Sequence, residues 1–346
     1  MSTVLNSASA AQQQTMQAIV FDDFGGPEVL LSREIAQPEV RPNDLLVRNA
    51  SIGVNRADLL QRKGAYGRAH FGDGDTLGLE IAGTVIEVGA EVQGFAVGDR
   101  VMGIVGGGSY AEISRIDHRM AMQVPASVSL VDAGALAEVF VTAHEALFHL
   151  ARLQPGESVL IHAAAGGVGS AAVQLAHAFG ARVFATAGGD KGQAVRGFGA
   201  DVVIDHRSED FAAVVAQATD GKGVDVLIDF IGAPYLERNV RSLAIGGRMV
   251  SVGLLGGAAG ATLPMDAVLY RHLQIFGTVM KSRPPEVKQA MVQRFARQWL
   301  GALADGTIRA VVDSSYPLAQ AAQAHARMEA GLNVGKILLL PGDAGR

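Results

Sequence analysis

Short runs of β-branched and aliphatic residues, separated by glycine and proline, fill the first third of the chain. Such runs predict strands, and the glycines and prolines between them predict turns. The predicted strands lie at 16–21, 44–54 and 84–88, with a turn followed by a further strand within 94–103. Helical spacing follows at 133–150, so the part before it is predicted to be β-rich.

Strands and helices alternate regularly from residue 157 onward. Strands are predicted at 159–161, 182–185, 201–204, 224–230, 248–252 and 273–277. Helices are predicted between them at 170–179, 191–198, 209–218 and 234–243. Because short connections join each strand to the next helix, the pattern predicts an α/β fold with a doubly wound parallel sheet.

The last segment returns to a mixed character. Its pattern predicts an amphipathic helix at 285–304, a strand at 310–312, a helix at 318–330 and a final strand at 335–340. We therefore expect one domain built from both chain ends, 16–134 and 275–346, with a strand–helix domain of 135–274 inserted between them. A ligand cleft is expected where the two domains meet.

Composition narrows the possible classes of function. A chain of 346 residues can form two domains, and 49% hydrophobic residues with 43 glycines suit α/β layers joined by tight turns. The net charge of −5 gives no electrostatic case for nucleic acid, which requires a basic face. No stretch approaches 18 consecutive apolar residues, so no membrane span is predicted.

The N-terminal residues and the cysteine count bear on location. Residues 1–15 contain no charged side chain and lack the features of a secretory or transit signal, so they are expected to form a flexible tail. The chain has no cysteine, which excludes disulfides and thiolate chemistry. We expect a cytoplasmic protein.

The stretch 157–169 carries the most specific pattern in the sequence. A β-branched run leads into alanines and glycines, and an apolar helical stripe follows. This is the context of a dinucleotide-binding fingerprint, here Ala164-x-Gly166-x-x-Gly169. A pyrophosphate must approach such a turn closely, and the helix start offers it free N–H groups. The predicted cofactor contacts are Ala165, Gly166, Gly167, Val168 and Gly169.

Several further motifs accompany this fingerprint. They are NRADLLQRKGAY at 55–66, GLEIAG at 78–83, GDRV at 98–101, GTVMKSR at 277–283 and GKI at 335–337. Together they resemble the medium-chain dehydrogenase/reductase superfamily, and within it the zinc-free quinone oxidoreductases. The chain is most similar to the zeta-crystallin-like enzymes and the tumour-suppressor-inducible subgroup. The resemblance implies a Rossmann domain inserted in a GroES-like, β-rich catalytic domain.

The resemblance also implies the reaction, which is hydride transfer from NADPH to a quinone or a conjugated carbonyl. The zinc-dependent relatives place a cysteine at Asn55 and a histidine at Leu79, and neither residue found here can ligate zinc as those do. We therefore expect no metal. A quinone spreads the arriving charge over its own oxygen, so the protein mainly supplies proximity and alignment.

The segment after the second nucleotide strand bears on the choice between NAD and NADP. NAD enzymes usually end this strand in an acidic residue that holds the ribose 2′-hydroxyl. Here small residues follow the strand, including Gly188, and Lys191 stands where the family binds the 2′-phosphate. The family has a tyrosine at the position of His206, so this chain departs from the pattern there. We expect NADP.

The remaining site residues come from the resemblance. Asn55 and Tyr66 are the expected catalytic residues, Asn55 beside the nicotinamide and Tyr66 positioning the acceptor oxygen or donating a proton. Further expected cofactor contacts are Thr142, Gly253, Leu254, Leu255, Phe276, Gly277 and Lys336.

Ordinary structural roles remain open for several residues. Asn55 could be a turn asparagine and Tyr66 a packing residue, while Lys191 and Lys336 could be surface lysines. Glu138 is interpreted as a helix-start carboxylate, and His162 as a buried, hydrogen-bonded histidine. The spacing of Arg56, Asp58 and Arg62 favours an ion pair along one helix. In each of these structural roles the residue takes part neither in the reaction nor in cofactor binding.

Two other functions remain open. One is a medium-chain enoyl-thioester reductase, for which Lys281 and Arg283 could bind phosphates. The other is a cofactor-gated binding or redox-sensing protein. By family analogy we expect a homodimer that extends its sheet through edge strands near 273–280.

Overall fold

The computed structural model describes residues 14–66 and 76–342, so most of the predicted N-terminal tail lies outside the described residues. Its strands are β1 Thr15–Val20, β2 Leu31–Ala36, β3 Asp44–Val54, β4 Glu80–Val88, β5 Arg100–Ile104, β6 Ile113–Asp117, β7 Ala121–Gln123, β8 Ser158–Ile161, β9 Arg182–Ala187, β10 Val202–Asp205, β11 Val224–Asp229, β12 Leu243–Ser251, β13 Gln274–Gly277, β14 Val312–Pro317 and β15 Lys336–Leu340. Its α-helices are α1 Arg56–Arg62, α2 Leu130–Ala133, α3 Ala137–His144, α4 Gly167–Ala178, α5 Gly192–Gly197, α6 Phe211–Ala218, α7 Leu236–Arg241, α8 Met265–Tyr270, α9 Pro285–Ala304 and α10 Ala321–Glu329.

The alternating segment forms a six-stranded parallel sheet in the order β10-β9-β8-β11-β12-β13. Its central strands are apolar on both faces because helices cover both, and Val159, Leu160 and Ile161 of β8 are fully buried. The sheet reverses its order between β8 and β11, which opens a crevice at the carboxyl ends of these strands.

The domain boundary predicted between 274 and 275 is wrong in detail. It cuts β13, whose residues 274–277 all pair with β12 in the nucleotide-type sheet. A short strand at the edge of a sheet carries little periodic signal, so the sequence pattern did not fix its membership.

Strands β1 and β2 pair with each other in a small antiparallel sheet, and both chain ends contribute to the second large sheet. Its strands run β14-β15-β3-β4-β5-β7, with β6 pairing β3. Thus β15 lies beside β3, although Lys336 and Val54 are 282 residues apart in sequence. The strand predicted at 310–312 instead spans Val312–Pro317 as β14. The strand was not fully predicted because its polar Asp-Ser-Ser sequence lacks the apolar pattern of a buried strand. An edge strand can have such a sequence, since it is not buried on both faces.

A helical layer joins the two sheets. The single helix predicted at 133–150 is divided into α2, α3 and a final wider π-helical turn, Glu145–Leu150. Helix α3 packs against α4 and α9, and the rings of Phe140 and Phe295 lie 5.9 Å apart in this core. Across residues 14–66 and 76–342, no helix combines the length and apolar character needed to cross a membrane.

Candidate active site

A cleft of about 2450 Å³ separates the two sheets. Ordinary small-molecule sites measure roughly 300–1,000 Å³, so this cleft can hold a dinucleotide together with a second molecule. The glycine turn after β8 lines one part of it, and the start of α1 lines another. Helix α3 lies along the cleft between these parts and contributes Glu138 and Thr142.

The glycine turn after β8 delivers backbone donors to the cleft. Ala163 adopts the left-handed conformation with a φ of 48°, and α4 begins at Gly167. The first N–H groups of a helix have no acceptor within it, so the start of α4 can bind an anion. At Gly169 a β-carbon would lie 2.4 Å from the carbonyl oxygen of Ala163, so only glycine permits this tight turn.

A loop from the C-terminal segment closes over the glycine turn. The N–H of Gly335 donates to the carbonyl oxygen of Ala165 at 2.8 Å, and Gly335 forms a parallel bridge with Gly166. Lys191 Nζ donates to the carbonyl oxygens of Gly331 and Asn333 at 2.6 and 2.9 Å. The walls of the cleft around the glycine turn therefore come from distant parts of the chain.

The far end of the cleft carries positive groups and lacks a carboxylate directly after β9. Gly188 follows β9, and it lines the cleft together with Lys191 and His206. Arg207 and Asp190 lie next to them as an ion pair at 3.5 Å, since a β-carbon on Gly188 would be 3.1 Å from Arg207 Nη2 and 3.1 Å from Asp190 Oδ1. Sequence reasoning missed Arg207, since its closeness to Gly188 depends on the pairing of β9 with β10.

Asn55 lies at the other end of the cleft, where protein partners fix its side chain. Lys336 Nζ donates to Asn55 Oδ1 at 2.7 Å, and Asn55 Nδ2 donates to Gly53 O at 3.1 Å and Glu80 Oε2 at 3.2 Å. Asn55 also caps the start of α1, where it forms a capping box with Asp58. Asn55 is therefore held in place at the wall of the cleft.

The suggestion that Lys336 could be a surface lysine is wrong. Lys336 is only 3% exposed, and its ammonium contacts Val54 O at 2.8 Å and Glu80 Oε2 at 2.8 Å in addition to Asn55. Glu80 also accepts from the N–H of Glu138 at 2.8 Å, and so it fixes the start of α3. The pair Lys336–Glu80 thus joins β15, β4 and α3 behind Asn55.

The ion pair predicted along α1 does not form. Arg62 is fully buried and pairs with Glu329 of α10 at 2.5 Å, instead of with Asp58. Asp58 accepts from the N–H of Asn55 at 2.7 Å and from the hydroxyl of Tyr110 at 3.1 Å. Burial raises the pKa of Asp58 to about 7. The carboxyl that positions Asn55 therefore titrates near neutral pH.

Tyr66 and Glu138 face the same part of the cleft as Asn55. Burial, together with the nearby charges of Glu138 and Asp58, raises the pKa of Tyr66 to about 12. The ammonium of Lys281 lies 3.9 Å from the centre of the Tyr66 ring. The phenol therefore stays protonated at neutral pH and can donate a hydrogen bond.

Glu138 does lie in the first turn of α3, as interpreted from the sequence, but it also lines the cleft. Its Oε2 atom is buried and has no hydrogen-bond partner among the described residues. Burial is the main cause that raises the pKa of this carboxyl to about 8, and the nearby carboxyl of Glu80 adds to it. Sequence reasoning gave Glu138 no chemical role.

The cleft brings together almost all of the predicted site residues. Its lining includes Asn55, Tyr66, Thr142, Ala165, Gly166, Gly167, Val168, Gly169, Gly188, Lys191, His206, Gly253, Leu254, Leu255, Gly277 and Lys336. Phe276 is the exception, because it packs partly buried against the core between the sheets and is not part of the lining. Alternate residues of a strand face opposite sides, which separates Phe276 from Gly277.

His162 is a buried structural residue, as predicted. Its Nδ1 lies 3.0 Å from Thr186 Oγ1 and its Nε2 lies 2.8 Å from Asn239 Oδ1, so both nitrogens are satisfied. Burial lowers its pKa to about 4, which keeps the ring neutral. Within the described part of the chain, no group of three or more His, Cys, Asp or Glu side chains has a metal-binding arrangement.

Comparison with known proteins gives two family matches and full-length relatives. Residues 41–152 match the alcohol dehydrogenase GroES-like domain, and residues 167–297 match the family described as zinc-binding dehydrogenase. The quinone oxidoreductase of Rattus norvegicus is 34% identical over 336 residues, which cover 96% of this chain and 99% of the relative. The quinone oxidoreductase of Pseudomonas aeruginosa is 34% identical and covers 93% and 99%.

Solved structures give the same fold. The Escherichia coli quinone oxidoreductase complexed with NADPH superimposes with a TM-score of 0.84 at 31% identity, covering 94% of this chain and 100% of that one. The CurK enoyl reductase superimposes with a TM-score of 0.82 at 28% identity, covering 95% and 99%. The similarity extends over both sheets and the cleft between them.

Proposed function

Because the chain belongs to the quinone oxidoreductase family of medium-chain dehydrogenases/reductases and is an oxidoreductase, we propose that it transfers hydride from NADPH to quinones or conjugated carbonyl compounds. The observation that carries this proposal is the continuous cleft, which runs from the glycine turn at α4 to Asn55 and Tyr66. An extended dinucleotide requires this combination of a phosphate-binding helix start and a separate polar pocket.

The described residues fit a nicotinamide dinucleotide. The N–H groups at the start of α4 would hold the pyrophosphate, where the glycines leave the backbone accessible. Asn55, held by Lys336 and Glu80, would lie beside the carboxamide or the substrate at the other end of the cleft. When bound, the reduced cofactor supplies a hydride, and the protein aligns the acceptor and excludes water.

The proposed preference for NADPH rests on the far end of the cleft. Gly188 and Gly189 follow β9, so the two positions directly after the strand carry no carboxylate for a ribose 2′-hydroxyl, and the nearby carboxylate of Asp190 is paired with Arg207. The cations Lys191 and Arg207 lie at this end, with His206 in the lining. A 2′-phosphate would receive charge-assisted hydrogen bonds there, which NADH cannot form.

The donor set at Asn55 supports a reaction without zinc. Catalytic zinc needs about three side-chain ligands of the Cys, His or carboxylate type. Leu79 lines the cleft with no ligating atom, and the Asn55 amide is already bonded to Lys336 and Glu80. An acceptor that delocalises the arriving charge suits such a site, since quinones and conjugated carbonyls need no Lewis acid. Tyr66 would then hold the acceptor oxygen through its hydroxyl.

A panel of cofactors and acceptors tests the function. We expect NADPH oxidation with ortho- or para-quinones or with conjugated ketones, and a NADPH dissociation constant at least tenfold below that of NADH. Fluorescence titration of each nucleotide gives the binding constants, and loss of NADPH absorbance gives turnover. Equal affinity for both nucleotides would refute the phosphate argument, and bound NADPH that no acceptor oxidises would indicate a binding or sensing protein.

An enoyl thioester is the second candidate substrate. The cleft wall carries Lys281, Arg283 and Lys288, cations that could contact the phosphates of a thioester carrier. A thioester oxidising NADPH with a kcat/KM above that of every quinone would favour this alternative. Inclusion of enoyl thioesters in the same panel therefore decides between the two.

We also propose a homodimer that forms along β13. This strand lies at the edge of its sheet, and more than half of each neighbouring apolar side chain, Ile245, Met265, Leu269 and Tyr270, is exposed. Exposed apolar patches of this kind mark protein contacts. Sedimentation analysis is expected to show a dimer, and a monomer at all concentrations would refute the proposal.

A further inference from the structure

Glu138 combines three properties that the proposed function does not use. It lines the cleft one helical turn before Thr142, so both side chains lie on the same face of α3. Its Oε2 atom is inaccessible to bulk water and has no hydrogen-bond partner among the described residues. Its backbone N–H is fixed by Glu80, which anchors the residue at the start of the helix. Glu138 is partly exposed, so a carboxyl group lines the cleft with one oxygen that no described residue binds.

The charges around Glu138 come from four elements. Glu80 of β4 and Asp58 of α1 favour its protonated form, whereas Lys336 of β15 and Lys288 of α9 favour its ionised form. Tyr66, which follows α1, is close enough for Glu138 to affect its titration.

Lys336 is already engaged within this group of charges. Its ammonium lies 2.8 Å from Glu80 Oε2, so its charge is balanced by that carboxylate. Two further buried carboxyl groups, Asp58 and Glu138, share the same cation from a greater distance. Since a buried carboxylate without its own cation is costly, the pair can hold protons at neutral pH.

We infer that Glu138 is the proton donor of the reaction, a role that rests on the hydride transfer proposed above. As hydride reaches the acceptor, its carbonyl oxygen gains negative charge. The O–H bond of Glu138 breaks and an O–H bond forms on that oxygen. The acceptor is reduced by two electrons and the nicotinamide is oxidised by two. The Glu138 carboxylate then regains a proton from water entering the cleft.

The alternative donor, Tyr66, is less suited to this step. The pKa of Tyr66 is raised to about 12, far above neutral pH, whereas that of Glu138 is raised to about 8. General acids work best when their pKa lies near the working pH. Tyr66 can therefore orient the acceptor by hydrogen bonding while Glu138 supplies the proton.

The pH dependence of turnover in the wild type and Glu138→Gln tests this role. For the wild type we expect kcat to be constant below pH 8 and to fall about tenfold per pH unit above it. In Glu138→Gln, kcat should fall by about 100-fold and lose this pH dependence, with KM for the acceptor and the dissociation constant for NADPH unchanged. Glu138→Asp should restore part of kcat. Glu87→Gln, at an exposed carboxylate of β4, is the matched control and should keep the wild-type profile.

A second measurement uses the protein without any ligand. The infrared band of protonated carboxyl groups should decrease as pH rises through about 8, and this component should be missing in Glu138→Gln. The component from Asp58, near pH 7, should remain in that variant and disappear in Asp58→Asn.

Different results separate this role from the proposed function. If the wild type turns over but Glu138→Gln keeps its kcat, or keeps a break near pH 8, Glu138 is not the donor. If the ligand-free protein shows no carboxyl titrating near pH 8, the inference is also refuted. If none of the tested acceptors supports NADPH oxidation by the wild type, the proposed function itself fails, whatever the infrared titration shows.

Discussion

Replacing Lys336 by methionine tests the buried pair that supports Asn55. The ammonium of Lys336 contacts Val54 O, Asn55 Oδ1 and Glu80 Oε2, all within 2.8 Å. Methionine has a similar volume, so the main effect is to leave the carboxylate of Glu80 buried without a cation. Removing one partner of a buried ion pair typically costs about 3–5 kcal/mol of unfolding free energy. We expect a loss of that size.

Urea-induced unfolding measures this loss. Trp299, the single tryptophan, stacks on Phe148 with ring centres 5.6 Å apart, so its fluorescence reports on the helical layer. The double variant Glu80→Gln/Lys336→Met removes both charges and should recover much of the stability, because no buried charge is left alone. Lys222→Met, at an exposed lysine, is the control and should change stability by no more than about 0.5 kcal/mol.

Two outcomes would refute this reasoning. A loss below about 1 kcal/mol in Lys336→Met would mean that the pair contributes no more than an exposed ion pair. A double variant at least as unstable as Lys336→Met would mean that the cost comes from lost packing and hydrogen bonds instead of from an uncompensated carboxylate.

Four further predictions concern the pH dependence of stability, the cofactor site and the assembly. Burial raises the pKa of Asp58 from 3.8 to about 7, so the native state keeps a proton that the unfolded chain releases. As pH rises from about 4 to 7, wild-type stability should therefore fall relative to that of Asp58→Asn by about 1.4 kcal/mol per pH unit. A pH-independent difference in urea titrations would contradict this. Gly169→Val should weaken binding of NADPH and NADH alike by at least about tenfold in fluorescence titrations, because a β-carbon there meets a backbone oxygen at 2.4 Å. The control Gly197→Ala should bind both nucleotides normally, because a β-carbon at that position meets nothing within 4 Å. Lys191→Ala should raise the dissociation constant of NADPH about tenfold more than that of NADH, since its contacts with Gly331 and Asn333 serve both nucleotides, and equal effects on both would remove Lys191 from the phosphate site. Tyr270→Glu places a charge on the apolar edge near β13 and should convert dimers into monomers in sedimentation experiments, whereas an unchanged dimer would place the interface elsewhere.

Periodicity predicted those elements whose sequence carries a clear period. Strand Asp44–Val54 and helix Pro285–Ala304 have the predicted bounds, because one is a long, largely buried segment rich in aliphatic residues and the other a long amphipathic stripe that begins at proline. Strand Leu31–Ala36 was missed. It is largely exposed and pairs only with β1, so no buried face imposes a pattern on its residues.

The site was predictable where a motif is local, and not where it depends on distant pairing. The glycine turn and α4 follow one another in sequence, so their chemistry could be derived from residues 157–169. Lys336 reaches Asn55 only because β15 pairs with β3, and the sequence shows no sign of that contact. The partner of Arg62 was equally unpredictable, because Glu329 lies 267 residues away in sequence. Asp58, one helical turn before Arg62, accepts a hydrogen bond from Tyr110 instead.

The pairing of β15 with β3 also orders events during synthesis of the chain on the ribosome. Strand β3 is made early, yet the strand that covers its open side follows only when about 280 further residues have been translated. Until then β3 presents an unpaired edge, which other chains could bind. The loop that closes over the glycine turn emerges equally late, so a nascent polypeptide cannot complete its nucleotide cradle, and coenzyme can assist only the last stage of folding.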